Sequence, residues 1–434
     1  MRHVILGNGP AGVVAAETIR KADPDAEVTL VGSEPEPPYS RMAIPYLLQE
    51  EIGEDGTYLR KDAGHFERLR IKLVAAAAEA VDTKAKLVKL NDGSSLPYDA
   101  LLIATGAQPT RPPIAGMDAP CVQTCWTLQD ARNIAVRATP GSRVLQIGAG
   151  FIGCIILEAL AARGVHLTVV EMGDRMVPRM MTPVASAMIE KWCEKKGVRV
   201  HTRSRVVSMR PDMKRAGSVF VELDSGDELP ADLVICAAGV RPNIAFLAGS
   251  GIATDQGVLV DDRLRTNVPG VYAAGDVAEA IDFSTGERAI NAIQPDAVDQ
   301  GRVAALNMAG KEAHSVGSLA INVLDTLGLV SSSFGKWWGE IDGQSAEVVD
   351  EQNFRYLSLQ FKDDVLIGAT SIGLTEHVGV LRGLIQTKTR LGEWKDQLLQ
   401  DPLRVVEASL ARTGAGSLKP GARAAGGFVP RASG

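Results

Sequence analysis

Short apolar runs ending in glycine turns alternate along the chain with stretches that carry apolar residues at helical spacing. Residues 3–6 read as a buried strand that runs into Gly7-Asn8-Gly9-Pro10-Ala11-Gly12. A helix is predicted from Val13 to about Lys21, with small and apolar residues on its inner face, and a second strand over 27–31 leads to Glu34. The same plan returns over 143–171. A strand over 143–147 meets Gly148-Ala149-Gly150-Phe151-Ile152-Gly153, a helix covers 154–163, and a strand over 165–170 leads to Glu171. Strand, helix and strand in this order predict an α/β fold with parallel sheets, built from an internal duplication.

Each glycine turn has a chemical reading. The first glycine permits the tight turn, the second lets backbone approach a pyrophosphate, and the third lets helix and strand pack closely. The helix N-terminus presents unpaired N–H groups and a partial positive charge to the phosphates. Glu34 and Glu171 follow the third glycines by 22 and 18 residues, near the roughly 20 expected for a carboxylate that accepts hydrogen bonds from ribose hydroxyls. Such a carboxylate repels a 2′-phosphate, so Glu171 favours NADH over NADPH; Arg175 nearby is the counter-argument, since turned inward it pairs with a phosphate.

Composition narrows the classes. The 434 residues allow two or three domains, and 45% hydrophobic content supplies several cores. A net charge of −6 gives no global basic surface for nucleic acid, although Arg60-Lys61 and 68–72 are local basic stretches. No apolar run reaches the roughly 18 residues of a membrane span. The first residues lead directly into a strand, without a charged-then-apolar leader, so a cytoplasmic protein is expected. The five cysteines (Cys121, Cys125, Cys154, Cys193, Cys236) and six histidines form no disulfide framework or metal-ligand pattern. Cys121 and Cys125 stand as C-x-x-x-C in an expected extended linker, where buried thiols and a redox or metal pair are both open readings.

Three more segments complete the pattern. Residues 98–106 read as a buried strand ending in Ala104-Thr105-Gly106. Residues 232–243 are its counterpart after the second glycine turn and contain Gly239. Thr266 to Asp276 reads T-N-V-P-G-V-Y-A-A-G-D. Together these resemble the pyridine nucleotide-disulfide oxidoreductase superfamily over roughly residues 1–310. The resemblance implies two Rossmann-like dinucleotide-binding domains and a C-terminal α+β interface domain. FAD would be held by the first, discontinuous domain (1–112 and 245–315), and NADH by the second (113–244). An interface or dimerisation domain would span 316–413, with strands over 356–361 and 365–371 and helices over 378–389 and 394–400. Residues 414–434, rich in Gly, Ala, Ser and Pro, are expected to be a disordered tail.

The resemblance also implies site residues. Gly7, Gly9, Pro10, Ala11, Gly12, Glu34, Arg41, Ala104, Thr105, Gly106, Gly275, Asp276 and Pro295 would hold FAD. Gly148, Gly150, Phe151, Ile152, Gly153, Glu171 and Gly239 would hold NADH. Asp276 would contact the ribityl chain and phosphates, a strand-terminal turn aspartate being the plainer reading. Phe151 would lie over the flavin and swing aside for nicotinamide, or simply fill space. Pro295 would open a helix aimed at the flavin, with Asp296 either at the flavin or capping that helix.

Two departures bear on mechanism. Tyr39-Ser40-Arg41-Met42-Ala43-Ile44-Pro45-Tyr46 is similar to the segment that carries the redox cysteine of coenzyme A disulfide reductases, with Met42 at the cysteine position. A thioether forms no thiolate and no mixed disulfide. Ile155 stands where relatives often have a glutamate, and Glu158 lies on another part of the helix face. The resemblance then implies an NADH oxidoreductase with FAD as its working redox centre and Met42 and Phe151 at the reacting face. Its electrons would pass to a small iron–sulfur or rubredoxin-like partner. An NADH oxidase or small-molecule reductase, and a FAD-binding signalling or scaffold protein, are the alternatives. A homodimer is a further expectation.

Overall fold

The computed structural model describes residues 1–412, so the expected tail over 414–434 lies outside the described residues. The chain forms two compact units, Met1–Leu329 and the residues from Val330 onward. Within the first unit, strand Ile321–Thr326 packs on helix Phe151–Ala162.

Two five-stranded parallel sheets organise the first unit, with smaller sheets beside them. One runs in the order Val271–Ala273, Ala100–Ile103, Arg2–Leu6, Glu27–Gly32, Ile71–Ala75. The other runs Val122–Gln123, Leu233–Cys236, Arg143–Ile147, His166–Val170, Arg199–His201. Each outer strand beside the crossing point comes from elsewhere in the chain. The first sheet takes its edge from beyond the second sheet. The second takes Val122–Gln123 from before its own glycine turn. The stretch expected as an extended linker is thus partly a sheet edge, and Val122 is buried against the sheet. Near-continuous apolar strands such as 100–103 and 233–236 are buried throughout, as parallel strands covered on both faces require.

The duplication extends to the strand starts. The Arg2 backbone N–H and guanidinium both donate to Asp99, at 2.8 Å each, and Arg143 makes the matching pair to Asp232 at 2.9 and 2.6 Å. Each arginine opens a central strand, and each aspartate precedes the neighbouring strand.

Two short antiparallel strands, Ala107–Pro109 and Val240–Pro242, carry the chain between the two sheets. Helix Pro10–Ala22 packs against Gln294–Met308. That approach requires Gly301, where a Cβ would stand 2.4 Å from the Ala11 carbonyl oxygen. The second unit holds antiparallel strands in the order Leu329–Gly335, Val365–Ile372, Arg355–Lys362, Gln344–Asp350, followed by helices Val378–Gln386, Glu393–Gln400 and Val405–Arg412. The helix expected to reach 389 stops at Gln386, where Lys388 takes a left-handed conformation, φ 47°.

Candidate functional site

The carboxyl ends of the first sheet open onto a cavity of about 670 Å³. This is the crevice where open α/β sheets bind ligands, and its size is that of a site for a large small molecule. Gly7, Gly9, Pro10, Ala11, Glu34, Arg41, Met42, Ala104, Thr105, Gly106, Gly275, Asp276, Phe151 and Ile152 all line it. Residues spread over more than 260 positions are therefore brought to one space.

The six motif glycines divide by what a side chain would meet. A Cβ on Gly7 would stand 1.9 Å from the Ala104 carbonyl oxygen, and one on Gly12 would stand 1.8 Å from the Gly7 oxygen. A Cβ on Gly148 would stand 2.5 Å from the Ala237 oxygen, and one on Gly153 would stand 2.7 Å from the Gly148 oxygen. Those four glycines are demanded by the protein's own backbone. Gly9 and Gly150 have no atom within 4 Å of such a Cβ. Nothing in the fold requires them to be glycine; a ligand approaching the helix N-terminus does. Gly9 caps helix Pro10–Ala22 and Gly150 caps Phe151–Ala162, both in extended conformation and without a side-chain cap. Both helices start about three residues earlier than the sequence suggested, since the last part of each glycine turn is their first turn. Their first N–H groups face the cradle.

Charge at the cavity is concentrated around Arg41. Its guanidinium donates to Glu34 at 2.6 Å, to the Tyr39 hydroxyl at 2.9 Å and to the Trp126 carbonyl at 2.6 Å. It also lies 5.4 Å from the ring centroids of both Tyr39 and Trp126. Tyr39 in turn donates to Glu34 at 2.5 Å, so one carboxylate and one cation organise this wall. Burial raises the Asp276 carboxyl above its usual range, and Arg41 partly offsets this. A half-buried carboxyl facing a large cavity suits hydroxyl groups of a bound ligand.

Asp276 is placed by its neighbours. Strand Val271–Ala273 pairs with Ala100–Ile103, and the Ala274 N–H donates to the Ile103 carbonyl, so the A-T-G and G-D turns lie side by side. The Gly275 N–H is held by Gln300 at 2.8 Å. Gln300 belongs to helix Gln294–Met308, whose first turn contains Asp296. Pro295 is the second residue of this helix rather than the first, because Ile293 is the extended cap and Gln294 begins the turn. Pro295 itself does not line the cavity, whereas Gln294 and Ala297 do.

At the other wall, helix Ile44–Leu48 packs on Phe151–Ala162. This brings Met42, Ile44, Pro45, Phe151, Ile152 and Ile155 onto the same cavity. Glu158 faces elsewhere. It accepts the Gly328 N–H at 3.1 Å, and burial beside Asp325 raises its carboxyl.

The second glycine turn is closed by Glu171, whose carboxylate accepts the Ala149 N–H at 2.7 Å and the Gly173 N–H at 2.6 Å. Arg175 is bonded to Asp174 at 2.8 Å. Gly239, at φ 96°, lines a small adjoining cavity together with Cys125 and Cys236.

Sequence reasoning missed several lining residues. Cys125 borders the main cavity, although 83 positions separate it from Met42. Burial pushes its thiol up to about 12. Asn243 lines the cavity and clasps Thr105. Its amide donates to the Thr105 carbonyl at 2.9 Å, and the Thr105 hydroxyl donates to the Asn243 carbonyl at 3.0 Å. Asn243 is the last residue of the 232–243 segment, but nothing in one chain marked its partner.

Two Rossmann-like sheets with open glycine cradles, joined to a separate C-terminal unit, define a two-nucleotide oxidoreductase architecture. The chain belongs to the pyridine nucleotide-disulphide oxidoreductase family, whose model matches residues 1–301. It is 33% identical over 416 residues to the epsilon subunit of NADH-dependent phenylglyoxylate dehydrogenase of Aromatoleum evansii, covering 95% of this chain and 98% of that one. It is 34% identical over 322 residues to an NADH oxidase of Methanocaldococcus jannaschii, covering 72% and 71%. It is 32% identical over 316 residues to rhodocoxin reductase of Rhodococcus erythropolis, covering 72% and 73%. In fold it is similar to the covalent putidaredoxin reductase–putidaredoxin complex, with TM-score 0.87, 23% identity, and 95% and 99% of the two chains covered. The protein is an NADH-dependent flavoprotein oxidoreductase that uses FAD. The open face of Gly9 and the size of the cavity fit FAD, and the open face of Gly150 fits NADH. No helix among the described residues is long and apolar enough to cross a membrane.

Proposed function

We propose that this chain is a cytoplasmic electron-transfer flavoprotein that delivers electrons from NADH to a redox partner protein, either a small iron–sulfur or rubredoxin-like protein or a companion subunit. FAD held in this cavity would supply both two-electron and one-electron redox chemistry. The observation that carries the reading is the wall of Met42, Ile155 and Phe151. It offers no activated thiol for disulfide chemistry, and Cys125 on the same cavity is held protonated by burial. The rhodocoxin reductase relative supports a small-protein acceptor, and the near full-length match to a dehydrogenase subunit supports a partner within a complex.

In this reading the chain's residues bind and align. Gly9 admits the pyrophosphate of FAD to the N–H groups at Pro10–Ala22. Glu34 and Arg41 secure the adenosine side, and Asp276 accepts the ribityl hydroxyls. Met42 and Phe151 border the reacting face, with Phe151 yielding to nicotinamide. Gly150 and Glu171 receive NADH on the second sheet. Residues 1–112 and 245–315 form the FAD domain, residues 113–244 the NADH domain, and the C-terminal unit a surface for partners or a second copy.

The NADH oxidase relative supports a second reading, direct use of oxygen. The two separate by experiment. FAD-loaded protein turned over with NADH should reduce ferricyanide far faster than it consumes oxygen, and oxygen uptake that matches NADH loss one for one at full rate would favour the oxidase.

A further inference from the structure

Gln146 lies on the central strand of the second sheet and is fully buried. Its side-chain N–H donates to the Gly148 carbonyl at 2.8 Å, while its side-chain oxygen has no hydrogen-bond partner among the described residues. The same peptide unit is held from its other side, where the Glu171 carboxylate accepts the Ala149 N–H at 2.7 Å. The Ala149 carbonyl in turn accepts the Val177 N–H at 2.8 Å. Val177 makes that bond from a left-handed conformation, φ 42°, which strains a β-branched residue. The backbone groups just before Gly150 are therefore fixed by the protein itself. The first glycine turn is built differently. Ile5 stands at the position of Gln146, each two residues before the first glycine of its turn. Glu34 is bonded to Arg41 and Tyr39 instead of to its own glycine turn. In both folds the side chain at this position sits below the third glycine. Ile5 Cγ2 would be 3.3 Å from a Cβ on Gly12, and Gln146 Nε2 would be 2.7 Å from one on Gly153.

An unpaired buried oxygen destabilises a fold, and the isoleucine at the matching position carries none. Packing therefore does not account for the glutamine. What it adds is the bond to the Gly148 carbonyl, which with Glu171 fixes the plane of the Gly148–Ala149 peptide. In the proposed function FAD stays in place, while NADH enters and its oxidised form leaves in every turnover. A turn that already has its bound shape loses no binding free energy to being ordered each time. We infer that Gln146 is a positioning residue for the coenzyme, holding the second glycine turn in the shape that receives the pyrophosphate of NADH. The inference rests on NADH occupying the second cradle, as in the function proposed above, and it requires no particular placement of the nicotinamide.

The test uses the full-length protein loaded with FAD. Stopped-flow reduction of the flavin at increasing NADH separates the dissociation constant from the limiting rate. ADP-ribose, as a competing ligand, probes the cradle without a nicotinamide. Gln146→Met keeps the length of the side chain but removes the donor, and Gln146→Leu does the same with a branched chain. Both variants should melt near the parent, since the unpaired Gln146 oxygen disappears as the Gly148 carbonyl loses its partner. The dissociation constant of NADH and the inhibition constant of ADP-ribose should rise by the same factor, about tenfold. The limiting rate should stay within about twofold of the parent, because only binding is touched. Constants for both ligands within about twofold of the parent would overturn the inference, as would a loss confined to the limiting rate. A weaker NADH complex with unchanged ADP-ribose affinity would also overturn it, by moving the effect away from the cradle. If neither variant folds, Gln146 is a structural prop and the inference fails. Failure of NADH to reduce the parent flavin would instead strike at the proposed function.

Discussion

The Glu171 carboxylate reaches back across the second glycine turn and accepts the backbone N–H of Ala149 at 2.7 Å. Its other oxygen takes the Gly173 N–H. The residue that ends the strand therefore also holds the cradle's shape, and it sets a carboxyl group beside the glycine turn. NADH should exceed NADPH in kcat/KM. Glu171→Ala should narrow that preference, and it should also cost about 1 to 3 kcal/mol of stability by leaving the buried Ala149 N–H unsatisfied. Paired coenzyme kinetics and a thermal melt check both parts. Equal efficiency with the two coenzymes in the parent protein would refute the assignment.

The division among the motif glycines gives a second expectation. A Cβ at Gly9 would have no protein atom within 4 Å, so Gly9→Val should fold with a near-parental melt yet be colourless, because the pyrophosphate cannot approach. Gly12→Ala drives a methyl into the Gly7 carbonyl and should lower stability or prevent folding. The ratio of visible to ultraviolet absorbance, read beside circular dichroism, separates the two. A yellow Gly9→Val protein would remove the basis for the open cradle.

A third concerns acid stability. His3 is buried on the central strand of the first sheet, with neither ring nitrogen hydrogen-bonded among the described residues, and burial lowers its pKa from the ordinary 6.5. Above about pH 6.5 both folded and unfolded chains hold it neutral. Below that the unfolded chain binds a proton that the folded one refuses, so stability falls until the folded pKa is passed. His3→Leu should flatten the loss between neutral pH and pH 5, measured by denaturant midpoints at each pH. An identical slope in both proteins would show that His3 does not contribute.

Much of this architecture was legible in local sequence because its determinants are local. Glycines at Gly7, Gly9 and Gly12, the apolar strand before them and Glu34 after them lie within one stretch, and Gly148 to Glu171 repeats it. The C-terminal strands over 355–372 were equally plain. What escaped depends on long-range pairing. Cys125 reaches the cavity because Val122–Gln123 joins a sheet whose other strands come later. The Arg2–Asp99 and Arg143–Asp232 pairs, the Thr105–Asn243 clasp and the Ser40–Gln294 bond each join segments that no periodicity links. Gln344–Asp350 was not anticipated because it is mostly exposed and polar on an outer strand, so it lacks an apolar alternation.

Met42 and Cys125 together make the central claim testable at one cavity. The decisive measurement is acceptor-dependent NADH oxidation by the FAD-loaded protein, run with ferricyanide and with low-molecular-weight disulfides in parallel. NADH should bleach the flavin's visible band without a long-wavelength thiolate charge-transfer band. Ferricyanide should then be reduced rapidly, and disulfides hardly at all. Met42→Cys should introduce a broad new absorbance that alkylation removes. Robust disulfide reduction by the unaltered protein, lost on Cys125→Ser, would contradict the account and make the Cys125 thiol the working redox group.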